Sequence, residues 1–141
     1  MDNVLHLLGI ARKAGRVEVG EEPVGASARA RQARLILVAS DAADNSARRA
    51  AHFAQAGKAP WFRVPYTKGE LGGTVGRASC AMLALTDVGL AAALLARLAA
   101  GAPETYGAAS AELSEKADKA LQRQKEQRRH EKKLRKGGRK P

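Results

Sequence analysis

Residues 15–29 of this chain, Gly-Arg-Val-Glu-Val-Gly-Glu-Glu-Pro-Val-Gly-Ala-Ser-Ala-Arg, concentrate the features that could do chemistry. Gly15 follows a helical apolar pattern and suits the left-handed conformation that stops a helix. Arg16 to Val19 alternates polar and apolar residues, as a short half-buried strand does. Gly20 frees the backbone, and Glu21, Glu22 and Pro23 then fill a first helical turn, where acids and proline are favoured. Such a turn presents unpaired backbone N–H donors beside two carboxylate acceptors. Donors and acceptors side by side are what reading the edge of an RNA base requires. Glu21, Gly25 and Arg29 share one helical face at i, i+4 and i+8, whereas Val24 and Ala28 turn inward.

The elements that must hold this segment can be read along the chain. Val4, Leu7, Leu8, Ala11 and Ala14 recur at helical spacing, which predicts a helix over 3–14 capped by Asp2 or Asn3. The second helix is expected over 21–32. Leu35–Ala39 is a continuous apolar run, as in a strand buried on both faces. A helix near 45–56 should end at Gly57. Pro60 and Pro65 bracket a strand over 61–64, and Thr67 with Glu70 forms a capping box for a short glycine-rich helix ending near Gly76. Cys80–Leu85 reads as another buried strand. Asp87 caps a last helix with Leu90, Leu94 and Leu98 on one face, stopped by Gly101 and Pro103. Strands alternating with helices predict an α/β chain: a three-layer α-β-α sandwich around a small four-stranded sheet.

Composition divides the chain. The net charge is +11, yet residues 1–115 hold 13 Lys+Arg against 11 Asp+Glu, and residues 116–141 hold 12 against 3. Residues 1–101 should form the sandwich domain, 102–110 a Gly/Ala/Pro-rich linker, and 111–141 a basic tail, helical or disordered. Its Gly137-Gly138 pair would end any helix. So dense a cationic segment implies a polyanionic partner, most simply nucleic acid. Only 4% of residues are aromatic, so the core must be built of Ala, Leu and Val. A single cysteine permits no intramolecular disulfide, which fits a reducing cytosol. No apolar run is long enough for a bilayer, and the start of the chain lacks signal-peptide character. The expected location is cytoplasmic.

Gly15–Arg29 resembles the recognition segment of the kink-turn RNA-binding ribosomal protein family, of the L-seven-Ae and L-thirty-e type, and especially its small bacterial YlxQ-like members. Leu35–Ala42, Lys68-Gly69-Glu70-Leu71-Gly72 and Val75-Gly76-Arg77 with the apolar strand after it extend the likeness over about residues 4–100. The resemblance implies a mixed sheet and a non-enzymatic RNA-binding module. Its site would comprise Gly20, Glu21, Glu22, Gly25 and Arg29, with a second part, Gly76, Arg77, Ala78 and Ser79, lying beside that helix start. Phosphates repel a carboxylate, so Glu22 would face the N–H edge of a guanine in an unusual pair. Arg29 and Arg77 would hold flanking phosphates. Where archaeal and eukaryotic members typically carry Asn-Glu this chain has Glu21-Glu22, and where many members have a lysine one turn on it has Gly25. Both changes remove hydrogen-bond donors.

Rival chemistry is poorly supported by the residue pattern. Gly69, Gly72, Gly73 and Gly76 fall within or after a helix and lack the Gly-Lys-Ser/Thr of a phosphate loop. Cys80 opens an apolar strand, with His6, His52 and His130 scattered, so a buried small hydrophobe is the better reading than a nucleophile. One cysteine and three separated histidines give no metal-ligand spacing. The expectation is therefore no cofactor, no metal and no membrane. Structured RNA is the expected partner, with ribosomal RNA and the ribosome as candidates. The alternative left open is a protein-interaction adaptor on the same fold, its tail docking to an acidic or ribosomal partner.

Overall fold

A computed structural model describes residues 2–137; the last four residues of the expected tail, Gly138 included, lie outside the described residues. Four strands, β1 (Val17–Val19), β2 (Leu35–Val38), β3 (Trp61–Arg63) and β4 (Met82–Leu85), form one mixed sheet in the order β1-β4-β2-β3. β2 and β3 are parallel, while β4 runs antiparallel to both neighbours, pairing Val19 with Leu83 and Val38 with Met82. Helices α2 (Glu21–Arg29) and α3 (Asp44–Gly57) cover one face. Helices α1 (Asn3–Lys13), α4 (Lys68–Thr74) and α5 (Val88–Gly101) lie on the other, giving the expected α-β-α sandwich. Every residue of the central strands β2 and β4 is buried. Their uninterrupted apolar runs thus match a sheet covered on both sides.

Local chemistry sets the boundaries. The Asp2 carboxylate accepts from the Val4 and Leu5 amides at 2.7 and 3.3 Å, capping α1. It also accepts from the Tyr66 hydroxyl at 3.0 Å, which ties the start of α1 to the loop after β3. Desolvation of the Asp2 carboxylate is outweighed by these three donors, so its pKa lies below the ordinary value. Helix α1 closes with Gly15 at φ 72°, the Gly15 amide donating to Arg12 and the Arg16 amide to Ala11. This two-bond closure recurs at α2 and α3, but there the left-handed residue is Arg31 (φ 58°) or Lys58 (φ 53°). Without a glycine to mark it, the end of α2 falls three residues before the expected Gln32. At α3 the left-handed position lies one residue beyond Gly57.

Gly57 serves a different purpose. A Cβ there would stand 2.8 Å from the Ala28 carbonyl oxygen and 3.1 Å from Ala28 Cα. The residue is bare because α3 crosses α2 backbone to backbone. With few aromatic side chains, close approach through Ala and Gly fills the space between these helices.

The sequence places a linker at 102–110, and the structure does not. A single helix, α6, runs Pro103–Gly137. Pro103 sits at its first position, where a missing N–H costs nothing. Tyr106 packs edge-on against Phe62 of β3 with centroids 5.0 Å apart, and Tyr106, Ser110 and Leu113 are buried, with Ala109 and Ala117 partly so. The stripe 106, 109, 110, 113, 117 is a helical face. Its burial against α5 supplies the apolar contact that the Gly/Ala composition appeared to lack.

Gly57→Ala should destabilise the protein by about 1–3 kcal/mol, because only backbone can yield to the added methyl. Gly107→Ala, with nothing within 4 Å of the added carbon, should stabilise α6 by about 0.5–1 kcal/mol. Urea titration of both variants checks the pair. Equal effects would show that α2 and α3 are not in backbone contact.

Candidate functional site

The sheet has one end at which several helix starts and loops converge. The C-terminal ends of β1, β2 and β3 meet the N-terminal end of β4 there. The Gly20 amide donates to the Met82 carbonyl at 3.0 Å, and the Ala39 amide to Ala81 at 2.9 Å. Gly20 and the segment entering β4 are therefore neighbours. Gly20 adopts φ 95° with ψ 163°, a conformation closed to ordinary residues, and it turns the chain directly into α2. It offers no side-chain cap. Pro23 has no N–H, so the first-turn amides of Glu21 and Glu22 are the donors this start leaves open. Glu22 is exposed on the outer side of the turn.

The face shared by Glu21, Gly25 and Arg29 turns toward α3. Glu21 Oε2 lies 2.7 Å from Arg49 Nη1. Gly25 is buried, and a Cβ on it would meet the Phe53 ring at 2.9 Å and Arg29 Nη1 at 3.2 Å. Arg49, Phe53 and Gly57 thus oppose Glu21, Gly25 and Ala28, three matched steps along two helices. Of the helix residues expected in the site, Glu22 is exposed at the sheet end beside the half-buried Gly20, and Arg29 is exposed further down the helix. Glu21 is engaged by Arg49, and Gly25 lies in the helix contact. Arg49 carried no sequence signal as a partner, since 28 positions separate it from Glu21.

The loop Gly76-Arg77-Ala78-Ser79 is exposed throughout. It is held tightly from below. Gly76 takes φ 71°, and the Arg77 amide donates to the Gly72 carbonyl at 2.8 Å. A Cβ at Gly72 would lie 2.7 Å from the Arg77 oxygen and 2.9 Å from the Ser79 nitrogen, so only glycine lets the loop lie across the end of α4. The Cys80 amide donates to the Lys68 carbonyl at 2.9 Å, and the Lys68 amide to the Asp41 carboxylate at 2.8 Å. Arg63 fixes the adjacent β2–α3 loop, its guanidinium donating to the carbonyls of Ala39, Ser40 and Ala42 at 3.0–3.3 Å. Asp41 and Arg63 are positioning residues that sequence reading missed. A Thr-x-x-Glu box shows itself locally, but a side chain bonded to backbone more than 20 positions away does not.

Burial pushes the Cys80 thiol up, and its proton points to the Met82 carbonyl at 3.2 Å. Among the described residues no group of three or more His, Cys, Asp or Glu could hold a metal. None of their helices is long and apolar enough to cross a membrane.

These features define an α-β-α sandwich carrying an exposed helix start and a small-residue loop at one sheet end, with a long cationic helix leaving the body. No family model matches the chain. It is 34% identical over 96 residues to the RNA-binding protein YlxQ of Bacillus subtilis (strain 168), covering 65% of this chain and 91% of that protein. It is also similar to a solved structure of a Bacillus halodurans protein of unknown function, at 25% identity and a TM-score of 0.64, over 69% of this chain and 97% of the other. The chain belongs to the YlxQ family.

The Glu21–Arg49 pair is largely exposed, at 35% and 62% of the two side chains. A double-mutant cycle with Glu21→Gln and Arg49→Gln should therefore give a coupling below about 1 kcal/mol, fading in salt. A larger, salt-resistant coupling would make the pair a structural clamp in place of an available surface.

Proposed function

We propose that this protein is a non-enzymatic RNA-binding protein of the cytoplasm that recognises structured RNA, kink-turn-like or ribosomal, in association with the ribosome. The observation that carries the reading is the shared sheet end. Gly20 is hydrogen-bonded to the strand that the Gly76–Ser79 loop enters, while Glu22 stands exposed beside it. The relative's name, RNA-binding protein, supports the same conclusion.

In this reading the Glu22 carboxylate accepts from the N1–H and N2–H₂ edge of a guanine exposed in a non-Watson–Crick pair, and the open amides of the turn donate to neighbouring acceptors. Arg77 holds a flanking phosphate, and the small side chains of its loop let a bulged base approach the backbone. Arg29, on the exposed flank of α2, holds a phosphate further along. Glu21 joins the contact only by leaving Arg49, and Gly25 acts through helix packing. Beyond Leu113, α6 adds attraction without sequence discrimination. Its distal cations have little apolar surface among them, and Leu121 and Leu134 are exposed.

Electrophoretic titration on kink-turn RNA, an unstructured RNA of equal length and duplex DNA tests the proposal. Glu22→Ala should cost about 1–3 kcal/mol of discrimination for the structured RNA. A preference that survives the substitution removes Glu22 from the site. Truncation after Arg123 leaves the packed part of α6 intact. On single-stranded RNA it should flatten log affinity against log salt by about 0.7 per phosphate released, roughly 3 in all if about half of the removed cations are engaged. An unchanged slope would refute the role of the distal helix. A protein partner whose capture survives ribonuclease would favour an adaptor instead.

A further inference from the structure

The end of the sheet away from Gly20 carries a second charged feature. There α6 passes over the segments that enter β2 and β3, leaving a cleft of about 290 Å³. Five cations line it: Arg34 just before β2, Lys58 just before β3, and Lys116, Lys119 and Arg123 from α6. No carboxylate is among the lining residues. Lys116 has Glu112 at 3.5 Å along its own helix. The other four have no carboxylate within 4 Å among the described residues, and all five are exposed. Asp87 and Asp118 line an adjoining hollow beyond Val88 and Ala120. The floor is small and apolar, with Ala33, Gly57 and Pro60.

Two features of this cleft need explaining. Lys58 and Arg34 could each serve the carbonyl end of a nearby helix. Lys116, Lys119 and Arg123 lie inside a helix and have no such end to serve. Packing α6 here sets like charges from separate elements face to face, an arrangement that costs free energy unless an anion enters. Second, Lys58 holds φ 53°, where glycine is the ordinary choice. The backbone keeps a cation at the lip in a conformation that disfavours it.

We propose that this cleft binds the sugar-phosphate backbone of RNA, as a contact separate from the Gly20–Glu22 end of the sheet. The inference rests on the RNA-binding reading above. The cleft lies at the lower edge of small-molecule pocket sizes, about 300–1,000 Å³. It has no buried polar side chain to select a base, so it holds phosphates without reading sequence. An RNA bound at the recognition end would have to run over the helices that cover the sheet to reach it. The sheet is about 13 Å from one end of β2 to the other, a span of a few nucleotides.

The test uses the full chain carrying Arg34→Ala and Lys58→Gly together, against a single-stranded 20-nucleotide RNA across a salt series. Lys58→Gly removes the cation and suits the left-handed backbone, so the melting temperature should hold or rise. The salt slope should fall by about 1.4, two phosphates at about 0.7 each. Structured-RNA preference should be unchanged, because Glu22 is untouched. A folded double variant with the parental slope overturns the proposal. Weaker binding to poly-glutamate with unchanged RNA binding also overturns it, and assigns the cleft to an acidic protein. The two readings separate cleanly. A lowered slope in this variant alongside an inert Glu22→Ala upholds the cleft and rejects the recognition end. The reverse pattern rejects only the cleft, and a parent chain that binds no RNA rejects both.

Discussion

The hydrogen bond from the Gly20 amide to the Met82 carbonyl is the point at which the architecture assembles the candidate site. It exists because β4, last in sequence, is inserted between β1 and β2 and runs against both. Had β4 been added at the outer edge, the segment entering it would lie beside β3 and far from α2. The antiparallel insertion puts the start of β4 against the end of β1. A loop more than 50 residues downstream thereby becomes a neighbour of the first helix turn after β1. Gly20, in a backbone conformation that a side chain would forbid, makes that turn abrupt enough for the helix to begin at the sheet edge.

A second constraint comes from the scarcity of large aromatic side chains. Helices with few broad rings between them approach closely, and α2 and α3 do so at Ala28 and Gly57, while Gly25 leaves room for the Phe53 ring. That closeness has consequences at the surface. It carries Arg49 to Glu21 and leaves Glu22 as the free carboxylate of the turn. The difference between two adjacent glutamates is thus a matter of helical phase. One faces the neighbouring helix, and the other faces solvent 100° away around the axis.

Charge is distributed along the molecule in the same structural terms. The Gly20 end of the sheet gathers carboxylates and amides at helix starts, where the dipole favours negative groups. The opposite end gathers cations near the closing turns of α2 and α3, and α6 adds more. Long, exposed and basic, α6 extends this cationic character well beyond the body. Its first turns are anchored by Tyr106 and Leu113 against the sandwich, so its direction is fixed where it leaves.

Much of this was legible in the residues alone. Apolar period, helix caps and the runs Leu35–Ala39 and Cys80–Leu85 determined the number, type and order of the sandwich elements, because these signals are local and a few neighbours suffice to state them. The basic character of the last 26 residues was equally plain. Tertiary structure alone decided three things. It set the strand order, which composition does not encode. It gave Glu21 and Gly25 to a helix contact, since their partners Arg49 and Phe53 lie 28 positions on. And it made 103–110 part of a helix, because Tyr106 acquires its apolar surroundings only once Phe62 and α5 are in place. Local sequence fixes what each segment prefers to be. Which side chain stays free to meet a partner depends on what the rest of the chain has already covered.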